Sequence, residues 1–362
     1  MNARTASLAS TLLLAWSLGS PALAGGSHFA DPLDTPPQVS PLAARGLFNG
    51  LALAGERVVA VGQRGHVLYS DDGGQQWTQA RVPLSSDLTA VHFPTPRDGW
   101  AVGQDGVVLV THDAGASWVR QLDGRQLGAL LLRSYAQNPP AGLSTDVLAG
   151  LQADAQRVAD EGPDKPFLDV YFEDAQRGWI VGAFNLLLRT EDGGASWQPW
   201  MHAAANPRAL HLYAIRAIGS ELYLAGEQGL LRKWNPAQQQ FEAIALPYQG
   251  TLFGLVGDAQ GAVVYGLRGT AFRSIDQGRS WAPVATGSEG ALPAATRSAD
   301  GSWLLANQTG QVLRPRDAAA SLSSLDLPQR LPASAVLALP GGSLILAGPR
   351  GLQRIQLPQG QE

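Results

Sequence analysis

From residue 99 the chain reads Gly99-Trp100-Ala101-Val102-Gly103-Gln104-Asp105-Gly106-Val107-Val108-Leu109-Val110-Thr111-His112-Asp113-Ala114-Gly115-Ala116-Ser117-Trp118. Two apolar runs flank a Gly-x-x-Gly phrase, and the second run leads into Thr-x-Asp-x-Gly-x-x-Trp. Gly supplies the positive φ that a tight hairpin demands, so the phrase reads as the turn between two antiparallel strands. It recurs as Val61-Gly62-Gln63-Arg64-Gly65, Val181-Gly182-Ala183-Phe184-Asn185, Ala225-Gly226-Glu227-Gln228-Gly229, Tyr265-Gly266-Leu267-Arg268-Gly269, Ala306-Asn307-Gln308-Thr309-Gly310 and Ala347-Gly348-Pro349-Arg350-Gly351. The seven copies are spaced by 41, 79, 44, 40, 41 and 41 residues.

The second motif is the more specific. Ser70, Asp72, Gly74 and Trp77 recur as Thr111, Asp113, Gly115 and Trp118, then as Thr190, Asp192, Gly194 and Trp197, and again as Ser274, Asp276, Gly278 and Trp281. This is the Asp-box, or BNR repeat. Its carboxylate accepts from N–H groups of its own turn, its Gly takes a left-handed conformation, and its Trp opens the next strand. Worn copies remain at Asn235 with Phe241 and at Asp317, Ala319 and Leu322. Four strands in about 40 residues make one propeller blade, which needs neighbours on both faces. The chain is therefore expected to be an all-β, seven-bladed β-propeller.

Two details complete that expectation. The first copy already holds four strands and the last only three, so a strand drawn from residues 35–43 is expected to pair on the outside of blade seven and hide its edge. The 79-residue step predicts an insertion over residues 123–166, between blades two and three. There Leu127 opens a Leu-rich run, and Ser144 and Thr145 precede Leu148, Leu151, Ala155 and Val158 at helical spacing before Gly162-Pro163. A helical hairpin there would emerge on the face that carries the Gly-x-x-Gly turns, with the Asp-boxes on the opposite face.

The 362 residues include 42 Gly and 24 Pro, only 15% are charged, and none is Cys. That composition favours many short elements over a helical bundle. The net charge of −4 gives no broad basic footprint for nucleic acid, and the lack of Cys excludes disulfides, thiol catalysis and Cys-ligated metals. Arg4, an apolar run over residues 8–18 and Pro21-Ala22-Leu23-Ala24 read as a signal peptide over residues 1–24, with a single propeller domain over 25–362. The expected location is the periplasm. No Cys follows Ala24, so no lipid anchor is expected, and no later stretch is apolar enough to span a bilayer. The six His show no ligand spacing, and the Gly phrases open strands rather than helices, so neither a metal nor another cofactor is expected.

Asp-boxes preceded by Gly-Trp-x-Val-Gly, in Gly99 to Gly103 and Gly178 to Gly182, resemble the Ycf48 family of photosystem II assembly factors and its relatives in non-photosynthetic bacteria. Residues 88–118 and 167–197 carry the likeness, with residues 47–77 and 251–281 carrying it more loosely, and the helical insert departs from it. The resemblance implies a non-enzymatic periplasmic scaffold, a monomer on its own, that binds a membrane protein or its extracytoplasmic domain. An exporter of the RND class is the partner implied for the non-photosynthetic branch.

Two sets of cations are candidates for the partner-binding surface. Arg189, Lys233, Arg273 and Arg314 occupy one equivalent strand position, just before the Asp-box, in blades three to six. Arg64, Arg268 and Arg350 occupy the Gly-x-x-Gly turns. In the first set, long stems lying on apolar strand surface explain the pattern equally well. The competing function is a glycoside hydrolase or sialidase, because Asp-boxes also occur in those enzymes. Such catalysis needs paired carboxylates, and the spacing of the axial candidates, Asp169 foremost, pairs none of them. No catalytic residue is assigned.

Overall fold

Each apolar run pairs with the next run along the chain. The computed structural model describes residues 30–258, 261–298 and 300–357. Blade one comprises Phe48–Ala54, Arg57–Gly62, Val67–Ser70 and Thr78–Gln79, and blade two Leu88–His92, Gly99–Gly103, Val108–Thr111 and Val119–Leu122. Five further antiparallel meanders follow, beginning at Phe167, Leu212, Leu252, Ala294 and Ala335. The second strands, such as Gly99–Gly103 and Gly178–Gly182, are buried along their whole length, which is why they read as unbroken apolar runs. The innermost strand of each sheet touches that of the next, and Ala335–Leu339 touches Phe48–Ala54. Seven sheets closed into a ring make a β-propeller.

The first glycine of the hairpin phrase, present in six of the seven copies, serves a purpose other than the one its spacing suggests. Gly103 is extended, with φ −171°, and a Cβ there would lie 2.2 Å from the Asp87 carbonyl oxygen. Gly62 meets Leu47 O at the same distance. In the first five copies positive φ falls instead on the last two residues of the phrase, as at Arg64 and Gly65 (55° and 67°) and at Asp105 and Gly106 (58° and 64°), and in the last two on the final Gly alone, at Gly310 and Gly351 (85° and 81°). The pattern thus combines a close backbone approach with a two-residue left-handed turn.

Closure corrects one expectation. Blade seven has three strands, Ala335–Leu339, Ser343–Gly348 and Gly351–Gln356, and residues 35–43 add no fourth. Pro36, Pro37 and Pro41 deprive that segment of the N–H groups a ladder requires. It runs between two 3-10 turns, Pro32–Asp34 and Ala43–Arg45. Leu33 enters the core of blades one and two, Gln79 bonds Gln38 and Ser40, and Ala43 packs with Phe48, Ala347 and Leu352 where blades seven and one meet.

Between blades two and three lie α1 (Gly124–Leu132) and α2 (Thr145–Glu161). Asp123 caps α1 through Arg125 N at 2.9 Å, with Gln126 returning the bond to the cap backbone, and Ser144 caps α2. The helices cross closely at Gly128, where a Cβ would come within 2.4 Å of Ala159 Cα. Leu127, Leu131, Tyr135, Ala155 and Val158 extend the core of blades two to four. Gly124 lies against the blade-two hairpin, since a Cβ on Gly106 would meet Gly124 Cα at 2.8 Å. The expected signal peptide over residues 1–24 lies outside the described residues.

These packing differences predict opposite effects for one substitution. Gly103→Ala should destabilise by about 2–3 kcal/mol through overpacking. Gly150→Ala, in α2 with nothing within 4 Å, should stabilise by about 0.5–1 kcal/mol. Urea unfolding of the two variants measures both.

Candidate partner-binding site

The Asp-boxes are structural joints. In blade two the Thr111 hydroxyl donates to Asp113 Oδ1 (2.8 Å) and accepts from Gly115 N (3.0 Å), and Asp113 accepts from Ser117 N and Oγ (2.8 and 2.5 Å). Ser70 with Asp72, Thr190 with Asp192 and Ser274 with Asp276 repeat the hydroxyl–carboxylate bond. At Asp276 the Ser280 hydroxyl and N–H, then the Ser274 hydroxyl, hold the carboxyl well below the usual range. Trp118 and Trp281 donate to the carbonyls of Gly115 and Gly278, whereas the buried Trp197 indole N–H has no partner among the described residues. The residue before the Gly is left-handed at Ala114, Gly193 and Gln277. Its carbonyl accepts from the preceding blade: Arg57 at 3.4 Å, Trp100 at 3.3 Å and Lys233 at 3.0 Å, respectively.

That geometry separates the two sets of cations. The Arg189 guanidinium lies 5.1 Å from the ring centres of both Trp179 and Trp200 and 2.9 Å from Glu191. Lys233 is held by Glu221 as well as by Gln277 O, and Arg273 and Arg314 are likewise engaged. These side chains are occupied within the propeller. Arg64, Arg268 and Arg350 are exposed on hairpins of the opposite face. Arg64 and Arg268 occupy the left-handed position of their turns, and Asp87 Oδ1 fixes Arg64 N at 2.7 Å. Arg350 precedes Gly351, beside the Ala44–Arg45 turn.

The polar side chains of the central channel tie neighbouring inner strands together. Asn49 donates to Leu88 O (2.9 Å), Thr89 to Phe167 O (2.7 Å), and Ala338 N to Thr296 Oγ1 (3.0 Å). Asp169 accepts from Ile215 N (2.9 Å) and from Arg216 (2.5 Å). Burial pushes the Asp169 carboxyl up, opposed by Arg216 and the Ile215 N–H. His92 accepts from Phe172 N at 3.2 Å, and burial, then Arg216, pushes its imidazole down to about 3. Carboxylates of the hairpin turns are also committed: Asp105 accepts from Ser86 and Glu227 from His211 N. Among the described residues no group of three His, Cys, Asp or Glu is placed to hold a metal.

The insert adds a surface that sequence reasoning did not locate. A groove of about 1000 Å³ runs between α1 and the outer edge of blade three, with Arg125, Gln126, Arg133, Trp197, Gln198 and Trp200 in its walls and no acidic residue among those lining it. Arg125 is held by Asp31 and Asp34 at 2.9 and 2.8 Å, anchoring the N-terminal segment to the insert. Arg216 was equally missed. A lone cation within the apolar inner strand Leu212–Ile218 was its signal.

The sequence matches the profile of a family described as photosynthesis system II assembly factor YCF48 over residues 54–149 and 151–317. The chain belongs to this family. A curated relative, the photosystem II assembly lipoprotein Ycf48 of Synechococcus sp. (strain CC9902), is 28% identical over 147 residues, which is 40% of this chain and 44% of the relative's own length. A solved structure described as YCF48 bound to D1 peptide superposes with a TM-score of 0.62 at 14% identity, over 90% of this chain and all of that one. The WD40 β-propeller domain of Doa1 superposes with 0.59 at 13% identity, over 91% and 97% of the two chains. Likeness at these identities shows the propeller fold. Among the described residues no helix is long and apolar enough to cross a membrane.

Two measurements probe the channel. Arg216→Met strands the buried Asp169 and should cost about 3 kcal/mol, part of which returns in Asp169→Asn/Arg216→Met, by urea unfolding. His92 has a folded pKa below its unfolded value of about 6.5, so its contribution is complete above pH 6.5 and is lost as pH falls toward 3. Between pH 7 and 5 the unfolding midpoint of the wild type should therefore fall more than that of His92→Asn.

Proposed function

We propose that this protein is a non-enzymatic extracytoplasmic scaffold, delivered by the signal segment over residues 1–24, that binds a membrane protein or its extracytoplasmic domain during assembly. Membership of the Ycf48 family over residues 54–149 and 151–317 carries this reading. A family relative solved with a D1 peptide supports a peptide segment of a membrane protein as the ligand class. The periplasm is the compartment, and an RND-type exporter is the particular partner, following what the resemblance implies for the non-photosynthetic branch.

The molecular surface accords with binding rather than turnover. Asp169, Asp105 and Glu227 are spent on hydrogen bonds between neighbouring segments, whereas hydrolysis of a glycoside needs a free carboxylate pair. Arg64, Arg268 and Arg350 project from one face, where a local positive field steers an acidic loop despite the net charge of −4.

Affinity capture from solubilised membranes tests the proposal. The wild type should recover an integral membrane protein, and the triple variant Arg64→Glu/Arg268→Glu/Arg350→Glu should recover at least about 10-fold less, the loss expected when complementary charges become like charges. Unchanged recovery would remove this face from the interface. A panel of glycoside substrates should show no turnover, and turnover abolished by Asp169→Asn would replace the scaffold reading with an enzymatic one.

A further inference from the structure

We infer that the outer edge of blade seven is an open β-edge that accepts an extended acidic segment of the partner as its fourth strand. The inference rests on the partner-binding reading above and names the place and chemistry of binding. Six blades have four strands, and blade seven ends at Gly351–Gln356, which pairs with Ser343–Gly348 alone among the described residues. The N-terminal turn Ala43–Arg45 meets this strand at its Gly351–Leu352 end, where a Cβ on Gly351 would lie 2.2 Å from Ala44 O and Ala43 packs with Leu352, and no described residue pairs with the outer side of the strand.

The edge is laid out for pairing. Leu357 N donates to Gly342 O at 2.9 Å, inward across the ladder. In an antiparallel pair the direction alternates with each residue, so the N–H and C=O groups of Leu352, Arg354 and Gln356 point outward. Three donors and three acceptors repeat every two residues, about 6.8 Å apart. The register runs through six successive pairs without a bulge, and the strand contains neither Pro nor Lys, the usual protections of an exposed edge. The outer strands of blades three and five, by contrast, are two residues long and end in Pro199 and Pro283.

Charge selects the occupant. Residues 331–357 contain Arg350 and Arg354 and no Asp, Glu or Lys. Both arginines are exposed, and Arg354 is steadied by Ser343 Oγ at 2.9 Å. A second copy would bring these cations against themselves, whereas an acidic strand would meet them and gain the main-chain bonds of strand addition.

The test uses the purified full chain and two capped decapeptides, acetyl-(Val-Glu)5-amide and acetyl-(Val-Lys)5-amide, with binding read by calorimetry. The acidic peptide should bind at least 10-fold more tightly than the basic one. Arg354→Pro removes the central outward N–H without touching the inward ladder, so it should weaken that binding at least 10-fold while the unfolding midpoint holds. Should Arg354→Pro unfold the blade, Arg354→Glu serves instead, and it should narrow or reverse the preference. On hydrogen exchange, the amides of Leu352, Arg354 and Gln356 should be fast in the free chain and slow in the complex. Equal binding of the two peptides, or binding untouched by the variant, overturns the inference. So does protection already present in the free chain, whether constant (the chain covers its own edge) or rising with protein concentration (a second copy does). These readouts need no membrane partner, so they succeed or fail independently of the affinity capture above.

Discussion

A sheet with apolar side chains on both faces is stable only between two others, so every blade depends on the contact that closes the ring. Here that contact is made by side chains rather than by strand exchange. Val58, Leu339 and Ile345 are buried together, with Leu51, Leu53 and Trp77 packed around them. Ala43, Phe48, Ala60, Leu68, Ala347 and Leu352 form a second closing cluster. Each large aliphatic side chain removed from water there contributes about 2 kcal/mol. The closure is strong because it is apolar and shared among many residues. Among the described residues it uses no fourth strand in blade seven.

The Asp-box extends the same logic outward. Within its turn the Ser or Thr hydroxyl and the Asp carboxylate satisfy backbone groups. The left-handed residue that the turn requires aims its own carbonyl at the blade before it, where Arg57, Trp100 or Lys233 donates. One motif therefore sets both the hairpin and the blade-to-blade register. This dual use explains why a cation or an indole recurs next to these turns, and why Lys233 lies along the propeller instead of projecting from it.

The seven repeats, their order and the hairpin positions were legible because they rest on local chemistry: glycine where backbones approach, carboxylate where a turn needs an acceptor. What was not legible depends on pairs far apart in the chain. Asp169 with Arg216, Arg125 with Asp31 and Asp34, and the seat of Leu33 between blades one and two join residues that spacing does not connect. The expected closing strand over residues 35–43 illustrates the difference. The need to cover the blade-seven edge argued for a strand, yet Pro36, Pro37 and Pro41, present in the same stretch, deny the N–H groups it would use. Among the candidate cations, position alone could not separate Arg189, spread over two indoles, from Arg64, held outward by its turn.

These contacts also decide where recognition can occur. The channel offers a buried carboxylate, but Arg216 and the Ile215 N–H already occupy it, and Asn49, Thr89 and His92 are spent on neighbouring strands. A ligand entering there would have to break bonds that hold the inner ring together. At the rim the balance is reversed. Arg64 and Arg268 stand on turns whose left-handed backbone is fixed by the hairpin, so ordering them on a partner costs side-chain entropy but little backbone entropy. The channel's polar groups are thus committed to neighbouring strands, whereas Arg64 and Arg268 at the rim are exposed, which is where the proposed partner would meet cations at the least cost.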